Sequence, residues 1–312
     1  MLNLFPNRDT SGDFELLREC DAAIICVPTP LNEMKEPDLS FVIDTATEVK
    51  KRLHLGQLVV LESTTYPGTT DEVLGGIFAT TGLKVGEDYF LAFSPEREDP
   101  GNEHFETRTI PKVIGGVTPA CGQVAAAAYG AVVERIVQVS SARVAEATKL
   151  LENIYRCVNI AMINEMKLLL RRMEVDVWEV IEAASTKPFG FTPFYPGPGL
   201  GGHCIPIDPF YLSWAARRYD FPARFIELAG EVNMAMPHHV VNSLTEALNL
   251  QGKALNNARI LLIGAAYKRD VEDVRESPAL VIINLLRRGL ARVEFHDPYV
   301  PILRSRHLVS RP

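Results

Sequence analysis

One glycine-rich segment brings a thiol and a carboxylate close together in sequence: GGHCIPIDP, in which Cys204 and Asp208 are four residues apart. The two glycines before the thiol leave room for a substrate to approach the backbone. A thiolate is a good nucleophile toward an aldehyde, and a carboxylate can act as the base for a water that attacks later. The pattern indicates covalent catalysis at Cys204, and the alternative is a buried cysteine in an ordered loop.

A second pair of polar residues lies in a helical stretch upstream. Lys149 and Asn153 are four residues apart and therefore share a face of a helix. Directed at one point, the Lys charge and the Asn amide could stabilise an oxyanion. The alternative is a solvated pair on the protein surface.

Four further residues stand next to predicted strands or helices. Thr64 and Glu96 follow strand candidates and could position a water or a sugar ring, although both residue types are also common in turns and caps. Lys268 and Arg275 could hold phosphates on a helix N-terminal turn. The Ser-Pro pair that follows Arg275 also predicts a simple N-cap with Pro at the first helical position.

Short apolar runs that stop at Gly, Pro, Ser or Thr and lead into helical patterns indicate the strands that would position these groups. Near-continuous apolar strands that alternate with helices predict a parallel sheet covered on both faces. Ligands bind beyond the carboxyl ends of such strands, where Thr29, Ser63, Thr64 and Gly264 fall. The predicted strands begin near residues 21, 57, 89, 112, 259 and 293.

The longest predicted helix covers residues 141–172, which contain no Gly or Pro and repeat apolar residues at intervals of three and four. The pattern predicts one long helix or a helix pair, apolar on more than one face, as in a strut shared between domains or subunits. Residues 187–209 are rich in Gly, Pro and aromatics and predict a loop. A βαβ unit follows, with strand 259–263, helix 278–288 and strand 293–296.

Composition excludes several classes of protein. The 312 residues carry a net charge of −7 with dispersed Lys and Arg, which argues against a nucleic-acid partner. No apolar run approaches the roughly 20 residues that span a bilayer, so no membrane association is expected. The five cysteines are scattered without a C-x-x-C, which predicts neither a disulfide framework nor a metal site and fits a reducing cytoplasm. Cys26 and Cys157 are predicted to pack as small hydrophobes.

Six ordered blocks across residues 15–302 resemble the UDP-glucose/GDP-mannose dehydrogenase family: CVPTPLN, ESTTYPGTT, SPEREDPGN, KLLENIYRCVNIAMINE, PGPGLGGHCIPIDPFYL and GAAYKRDVEDVRESPA. The resemblance implies an α/β protein with two doubly wound Rossmann-like parallel-sheet domains joined by a long central helix. The expected domains are a partial NAD-binding domain over 1–140, a central helical domain with the Cys loop over 141–250, and a partial UDP-binding domain over 251–312.

The resemblance also implies a reaction. The family oxidises the C6 alcohol of a nucleotide sugar to a carboxylate with two NAD⁺, and Cys204 would carry the substrate as a thiohemiacetal and then a thioester. ESTTYPGTT and SPEREDPGN are most similar to the branch that acts on UDP-N-acetylglucosamine, which supplies uronic acids for surface polysaccharide. The implied roles are oxyanion stabilisation by Lys149 and Asn153, activation of water or thiol by Asp208, and positioning by Thr64 and Glu96.

Binding residues are carried over from the same resemblance, together with a homodimer or higher homo-oligomer. Those implied for NAD are Thr29, Ser63 and Arg275. Those implied for the UDP-sugar are Arg97, Phe194, Tyr195, Gly199, Gly201, Gly202 and Lys268.

The N-terminal part of the chain contains no G-x-G-x-x-G, which predicts that the first βαβ unit of a dinucleotide fold is absent. The UDP-binding domain is also expected to be cut short. The alternatives are therefore a truncated, non-catalytic remnant that binds nucleotide sugars, or a UDP-glucose or UDP-N-acetylmannosamine 6-dehydrogenase. A two-electron hydroxyacid dehydrogenase with a structural Cys204 is disfavoured by the combined thiol, Lys and Asn blocks.

Overall fold

The computed structural model describes residues 11–32, 34, 36–98, 105–202 and 208–303. The chain forms two compact units, Met1–Lys149 and Leu150–Pro312, called here the first and the second unit. Both units contain helices and strands, as the sequence predicts for an α/β protein.

The first unit is built on a sheet that has five strands within the described residues, in the order β1-β2-β3-β4-β5. All of these strands pair in parallel except β3 and β4, which are antiparallel. The sheet is therefore mostly parallel, as predicted. The one antiparallel pairing was not foreseen, because an apolar run can be buried in either direction. The strands are β1 Ala22–Ile25, β2 Leu58–Leu61, β3 Phe90–Phe93, β4 Lys112–Gly116 and β5 Ile136–Val139.

Both faces of this sheet are covered. Every residue of β2 and β4 is buried, as expected of strands with a layer on each side. Val59 and Leu61 belong to the core of one face, whereas Leu58 and Val60 belong to that of the other. The helices of this unit are α1 Ser40–Lys50, α2 Gly75–Ala79, which continues a π-helical segment Thr69–Leu74, and α3 Pro119–Gly130.

Strand β5 was not predicted. It lies at the edge of the sheet and is only partly buried, so its sequence IVQV lacks the continuous apolar run of the central strands.

One long helix, α4 Ala142–Arg172, follows the sheet. The prediction of a long helical stretch is confirmed, and of the two forms it allowed, the single helix is observed. Its first turns belong to the first unit and the remainder to the second. Residues on α4 can therefore serve either unit.

The second unit contains helices and a small parallel sheet. Strands β6 Arg259–Ile263 and β7 Arg292–His296 pair in parallel on either side of α8 Pro278–Arg288, so the predicted βαβ unit is confirmed. Ser277 caps α8 by accepting a hydrogen bond from the Ala279 N–H at 3.3 Å, with Pro at the helix start, as the Ser-Pro pair predicts. The other helices are α5 Val177–Ser185, α6 Asp208–Ala216 and α7 Arg224–Leu250.

Across the described ranges, no helix combines the length and the apolar character needed to cross a bilayer.

Candidate active site

The hydroxyls predicted at the carboxyl ends of β1 and β2 are found there. Ser63 is buried just beyond β2, where its Oγ accepts a hydrogen bond from the Val27 N–H (2.9 Å) and donates one to the Val27 carbonyl (2.8 Å). Thr29 is buried in the segment after β1, and Thr64 is half-buried beside Ser63. Ser63 therefore joins the chain segments that leave two neighbouring parallel strands.

Glu96 lies after β3, and its carboxylate is already engaged. It accepts hydrogen bonds from the backbone N–H groups of Arg97 and Glu98 (2.8 Å each) and pairs with the Lys112 ammonium (3.2 Å). Burial alone would raise the pKa of Glu96, but the Lys112 charge and the two amides outweigh burial and lower it. Glu96 is therefore an ionised, half-exposed carboxylate at neutral pH.

Lys112 and Glu62 were not predicted as site residues, yet they organise this edge of the sheet. The buried Lys112 ammonium lies 2.9 Å from the Glu62 carboxylate, which also accepts a hydrogen bond from the Tyr129 hydroxyl at 2.5 Å. Because β4 runs antiparallel to β3, its first residue, Lys112, lies beyond the end of β3 and next to Glu96. Strand direction was the missing information, and the sequence pattern carries no signal for it.

Cys26 is exposed, so the prediction that it packs as a small hydrophobe is wrong. It is the first residue after β1, where the chain has already left the buried part of the sheet. Although the residue as a whole is exposed, its sulfur is partly desolvated where it donates a hydrogen bond to Glu62 Oε2 at 3.6 Å. This partial desolvation and the Glu62 carboxylate raise the pKa of Cys26 to about 11, which keeps the thiol protonated at neutral pH. Cys157 is buried as predicted.

Lys149 is buried on α4, and its ammonium donates a hydrogen bond to the backbone carbonyl of Glu96. No carboxylate lies within salt-bridge distance of Lys149 among the described residues. A buried ammonium held by a neutral carbonyl keeps its charge available to a nearby anion. Arg97, from the same loop, donates from Nη1 to the Pro111 carbonyl at 2.7 Å.

In the second unit the structure brings Asn153 and Asp208 together. Both are buried, and the Asn153 amide donates to the Asp208 carboxylate at 2.5 Å, although the two residues are 55 positions apart in sequence. Asp208 is the first residue of α6. Cys204 lies outside the described residues, as do its neighbours from 203 to 207.

Residues 197–202, called here the Gly-rich loop, pack against the segment that carries Lys268 and Arg275. The Gly202 N–H donates to the Arg275 carbonyl at 3.2 Å. A Cβ on Gly201 would lie 2.6 Å from the Cβ of Tyr267, and one on Gly202 would lie 2.9 Å from the Tyr267 ring, so only glycine fits there. The predicted residues Gly199, Gly201, Gly202, Lys268 and Arg275 thus belong to one region of the second unit.

Two aromatic residues predicted to bind substrate precede this loop and are held by other rings. Phe194 packs edge-on against Tyr155 of α4, and Tyr195 stacks on Trp178 of α5. Half of the Tyr195 side chain remains exposed.

Arg275 and Lys268 are positioned by nearby carboxylates. The Arg275 guanidinium pairs with Asp273, with the shortest contact at 2.6 Å. The turn that leads to Lys268 is fixed by Asp297, whose Oδ2 accepts from the Ala265 and Ala266 N–H groups at 2.7 and 3.1 Å. Burial alone would raise the pKa of Asp297, but these and two further backbone amides lower it.

The spacing Gly197-x-Gly199-x-x-Gly202 matches G-x-G-x-x-G, but its setting differs from a dinucleotide-binding turn. The element that precedes the loop is α5 rather than a strand, whereas a dinucleotide-binding turn follows a strand. This match therefore gives no phosphate-binding turn.

A buried amide network that sequence reasoning missed holds the same loop. Asn164 of α4 accepts from the Gly197 N–H and donates to the Asn233 side chain, both at 2.9 Å. Asn233 of α7 in turn donates to the Cys157 carbonyl at 3.1 Å. A single polar residue within an amphipathic helix gives no sign of partners about 70 positions away.

The described residues of the first unit fit the hydroxyl-bearing part of NAD. Thr29 and Ser63 lie beyond the carboxyl ends of β1 and β2, where dinucleotides bind in such sheets. The helix N-termini described in this unit already hold acceptors of the protein itself, from Asp38, Glu146 and Thr118. The described residues assigned to NAD are therefore these two hydroxyls, and no helix start described in this unit is assigned to its pyrophosphate. Within the described ranges, no group of His, Cys, Asp and Glu side chains could hold a metal ion.

Comparison with known proteins yields matches along the chain. Three family models match: "UDP-glucose/GDP-mannose dehydrogenase family, NAD binding domain" over residues 7–133, the central domain over 143–235 and the UDP binding domain over 261–310. UDP-N-acetyl-D-glucosamine 6-dehydrogenase of Pseudomonas aeruginosa is 36% identical over 286 residues, which cover 91% of this chain and 67% of that protein.

Solved structures agree. The UDP-D-ManNAc dehydrogenase of Pyrococcus horikoshii matches with a TM-score of 0.87 and 37% identity over 93% of this chain and 68% of that one. The NDP-N-acetyl-D-galactosaminuronic acid dehydrogenase of Methanosarcina mazei Go1 matches with a TM-score of 0.83 and 34% identity over 94% and 64%. The chain thus spans about two thirds of the length of these relatives.

Proposed function

The chain belongs to the UDP-glucose/GDP-mannose dehydrogenase family, and on that premise we propose that it oxidises the C6 alcohol of a UDP-N-acetylhexosamine to the carboxylate. The family's NAD-binding and UDP-binding domains are both present. The observation that carries the proposal is the set of buried polar groups on α4: Lys149 keeps an unneutralised charge among the described residues, and Asn153 holds the carboxylate of Asp208.

We assign the residues of the first unit to the hydride-transfer steps. Bound NAD⁺ supplies the hydride acceptor, and Thr29 and Ser63 would hold its hydroxyl-bearing part. The Lys149 ammonium stabilises negative charge that develops on the C6 oxygen, because a charge held in a buried site costs no reorganisation during reaction. Thr64 and the ionised Glu96 position the water and the reacting carbon.

We assign the covalent steps to residues of the second unit. The Cys204 thiolate adds to the C6 aldehyde, and the resulting thiohemiacetal is a better hydride donor than the aldehyde itself. After the second hydride leaves C6, water attacks the thioester, its oxygen enters the carboxylate and the thiol departs as the leaving group. Asp208 accepts the proton of that water, with its carboxylate oriented by Asn153.

We assign substrate binding to the Gly-rich loop and its surroundings. Phe194, Tyr195 and the three glycines at 199, 201 and 202 would wrap the sugar nucleotide, and Lys268 and Arg97 would contact it. Arg275 would complete the NAD contacts.

The central experiment counts NADH per UDP-sugar. We expect two NADH for each UDP-N-acetylglucosamine consumed, with uronic acid as the product. We expect Cys204→Ala to abolish carboxylate formation, whereas Cys20→Ala, which removes a thiol that donates to the Leu16 carbonyl, keeps it. One NADH per sugar would instead support a two-electron dehydrogenase. UDP-sugar binding without any NADH would identify a non-catalytic nucleotide-sugar-binding protein.

The sugar is proposed as UDP-N-acetylglucosamine from the ESTTYPGTT and SPEREDPGN blocks and the Pseudomonas relative. Relatives that act on UDP-N-acetylmannosamine and N-acetylgalactosamine-type sugars are equally similar, and UDP-glucose is a further alternative. Comparison of kcat/KM among the four UDP-sugars decides, and a tenfold preference for another sugar would reject the assignment.

We propose a cytoplasmic homodimer that supplies surface polysaccharide synthesis. All described cysteines are free, which fits a reducing compartment. Exposed apolar side chains at Leu151, Tyr155, Met162 and Leu169 lie on one side of α4, which suits a helix–helix interface. Light scattering should give twice the chain mass, and Met162→Glu should give the monomer. A monomeric wild type would contradict this assembly, and cell fractionation tests the compartment.

A further inference from the structure

The first turns of α4 place a fully buried carboxylate, Glu146, against the segment that follows β2. One Glu146 oxygen accepts from the Gly68 N–H at 2.7 Å. The other accepts from the N–H and the hydroxyl of Thr70 at 2.9 and 2.7 Å. These donors lie at the N-terminus of the π-helical segment that begins at Thr69. Glu146 therefore caps this helical N-terminus, although it is about 76 residues away in sequence.

Lys149 lies one turn after Glu146, on the same side of α4. Its ammonium donates to the Glu96 carbonyl in the loop after β3. Strands β2 and β3 are parallel neighbours, so their loops leave the same edge of the sheet. Glu146 and Lys149 therefore fasten one turn of the helix to two adjacent loops, and the first of these loops carries Thr64.

An ordinary folding contact at this place would not require an ionisable group. Burying a carboxyl group is unfavourable, whereas a well-packed apolar residue at the same position would carry no such cost. The surface of the same helical start is already joined to α4 by Arg143, which pairs with Asp71 and Glu72 at 2.6 and 2.7 Å. Unlike the Arg143 ion pairs, the buried Glu146 carboxylate forms directed hydrogen bonds with two backbone N–H groups, those of Gly68 and Thr70.

We propose that Glu146 is a positioning residue for the oxidation: its carboxyl group holds the segment from Thr64 to Thr70 and the Lys149 turn in fixed register. The inference rests on the proposed roles of Lys149 and Thr64. Glu146 touches neither substrate nor cofactor in this scheme. It acts by preventing the small displacements that are costly to a reaction needing near-attack geometry.

Steady-state kinetics form the first part of the test, with NADH formation from UDP-N-acetylglucosamine as the readout. We expect Glu146→Ala to lower kcat by about 10- to 100-fold, since a shift of about 1 Å in a catalytic group can cost that much. The KM for the UDP-sugar should stay within about twofold. Glu146→Gln, which keeps an oxygen acceptor in place, should recover kcat to within about tenfold of the wild type.

Arg143→Ala is the matched control. It removes contacts between the same helix turn and the same segment, but its partners are the carboxylates of half-buried Asp71 and exposed Glu72 rather than the Gly68 and Thr70 amides. Its kcat should equal that of the wild type. A loss of kcat in Arg143→Ala as large as that in Glu146→Ala would overturn the inference, as would a Glu146→Ala variant with unchanged kcat.

The second part does not depend on turnover. Acetic anhydride labelling of Lys149, mapped by mass spectrometry, should increase at least threefold in Glu146→Ala and stay unchanged in Glu146→Gln and Arg143→Ala. Unchanged labelling in Glu146→Ala would overturn the inference even if kcat falls. If the wild type forms no NADH but labelling follows the expected pattern, the proposed function fails and the positioning by Glu146 stands.

Discussion

Helix α4 holds two loops through buried side chains that accept hydrogen bonds from backbone N–H groups, but the two side chains differ in chemistry. In the first unit, Glu146 accepts hydrogen bonds from the Gly68 and Thr70 backbone N–H groups. In the second unit, Asn164 accepts from the Gly197 N–H. Both side chains are fully buried, and each partner lies more than 30 residues away in sequence. A carboxylate therefore holds the loop after β2, and an amide holds the Gly-rich loop.

The difference lies in what each side chain can do with protons. The Glu146 carboxylate only accepts hydrogen bonds, and burial raises its pKa to about 7 although the donors of Thr70 and Gly68 oppose the shift. Asn164 both accepts and donates, because its amide also bonds to Asn233 at 2.9 Å. The contact in the first unit should therefore respond to pH near neutrality, whereas the one in the second unit should not.

The largest expected effect is the loss of the amide. Asn164→Leu leaves the Gly197 N–H and the Asn233 oxygen unpaired, and at roughly 1–3 kcal/mol each this should lower the free energy of unfolding of the second unit by about 2–6 kcal/mol. Urea unfolding followed by tryptophan fluorescence measures it, since both tryptophans, Trp178 and Trp214, lie in this unit.

Asn159→Leu is the control for this variant, because the Asn159 amide donates to the Tyr155 carbonyl on its own helix and, among the described residues, holds no loop. Its stability should change by no more than about 0.5 kcal/mol. Asn164→Leu combined with Asn233→Leu should regain part of the loss, because both members of the side-chain pair are then apolar. A double variant that is destabilised by the sum of the two single changes would show that the amides are not coupled.

The next effect is the pH dependence of the first unit. The pKa of Glu146 is about 7 in the folded protein, whereas an unperturbed glutamate in the unfolded chain has a pKa of 4.5. The folded state therefore binds the proton more tightly than the unfolded state. Its contribution to stability is complete below pH 4.5 and is lost as the pH rises through 7. At 1.36 kcal/mol per pKa unit the change is about 3 kcal/mol.

Hydrogen exchange of β2 and β3 peptides in urea measures this stability in the first unit. Between pH 4.5 and 8 the wild type should lose about 3 kcal/mol relative to Glu146→Gln, which does not titrate. The charges that face this carboxyl, on Asp71 and nearby Glu72 and Arg143, are the same in both proteins and cancel in the difference. Parallel pH curves for the two proteins would mean that Glu146 keeps an ordinary pKa when folded.

These two contacts also mark the limit of what the sequence predicts. The apolar runs placed β1 to β4, β6 and β7, and the residues without Gly or Pro placed α4, because burial on two faces and helical periodicity are local patterns. The direction of β4 and the half-buried edge strand β5 were not predicted, because neither produces a local pattern in the sequence. The site role of Lys112 was not predicted either, since its position beside Glu96 follows from the direction of β4.

The candidate site was predicted by residue type and by resemblance, not by contact. The bond from Asn153 to Asp208 spans 55 positions, and that from Thr70 to Glu146 spans 76. No spacing rule links such positions, because the fold alone brings them together. A buried Glu at the start of an amphipathic helix resembles a surface Glu until its partners are known.

The smallest expected effect tests the backbone conformation of the loop after β2 independently of the hydrogen bond from Gly68 to Glu146. Gly68 has φ +107°, and a Cβ there would meet only the flexible Glu72 side chain, at 3.4 Å. Gly68→Ala should therefore cost about 1–2 kcal/mol from backbone strain alone, while its N–H still donates to Glu146.

Exposed Gly76, within α2 and with open space around its Cβ position, is the opposite case, and Gly76→Ala should stabilise the first unit by about 0.5–1 kcal/mol. Hydrogen exchange of the β2 and β3 peptides measures both, and Gly68→Ala should retain the pH dependence of the wild type. If Gly68→Ala removed that dependence, the loop shape rather than the Glu146 carboxyl would control the titration.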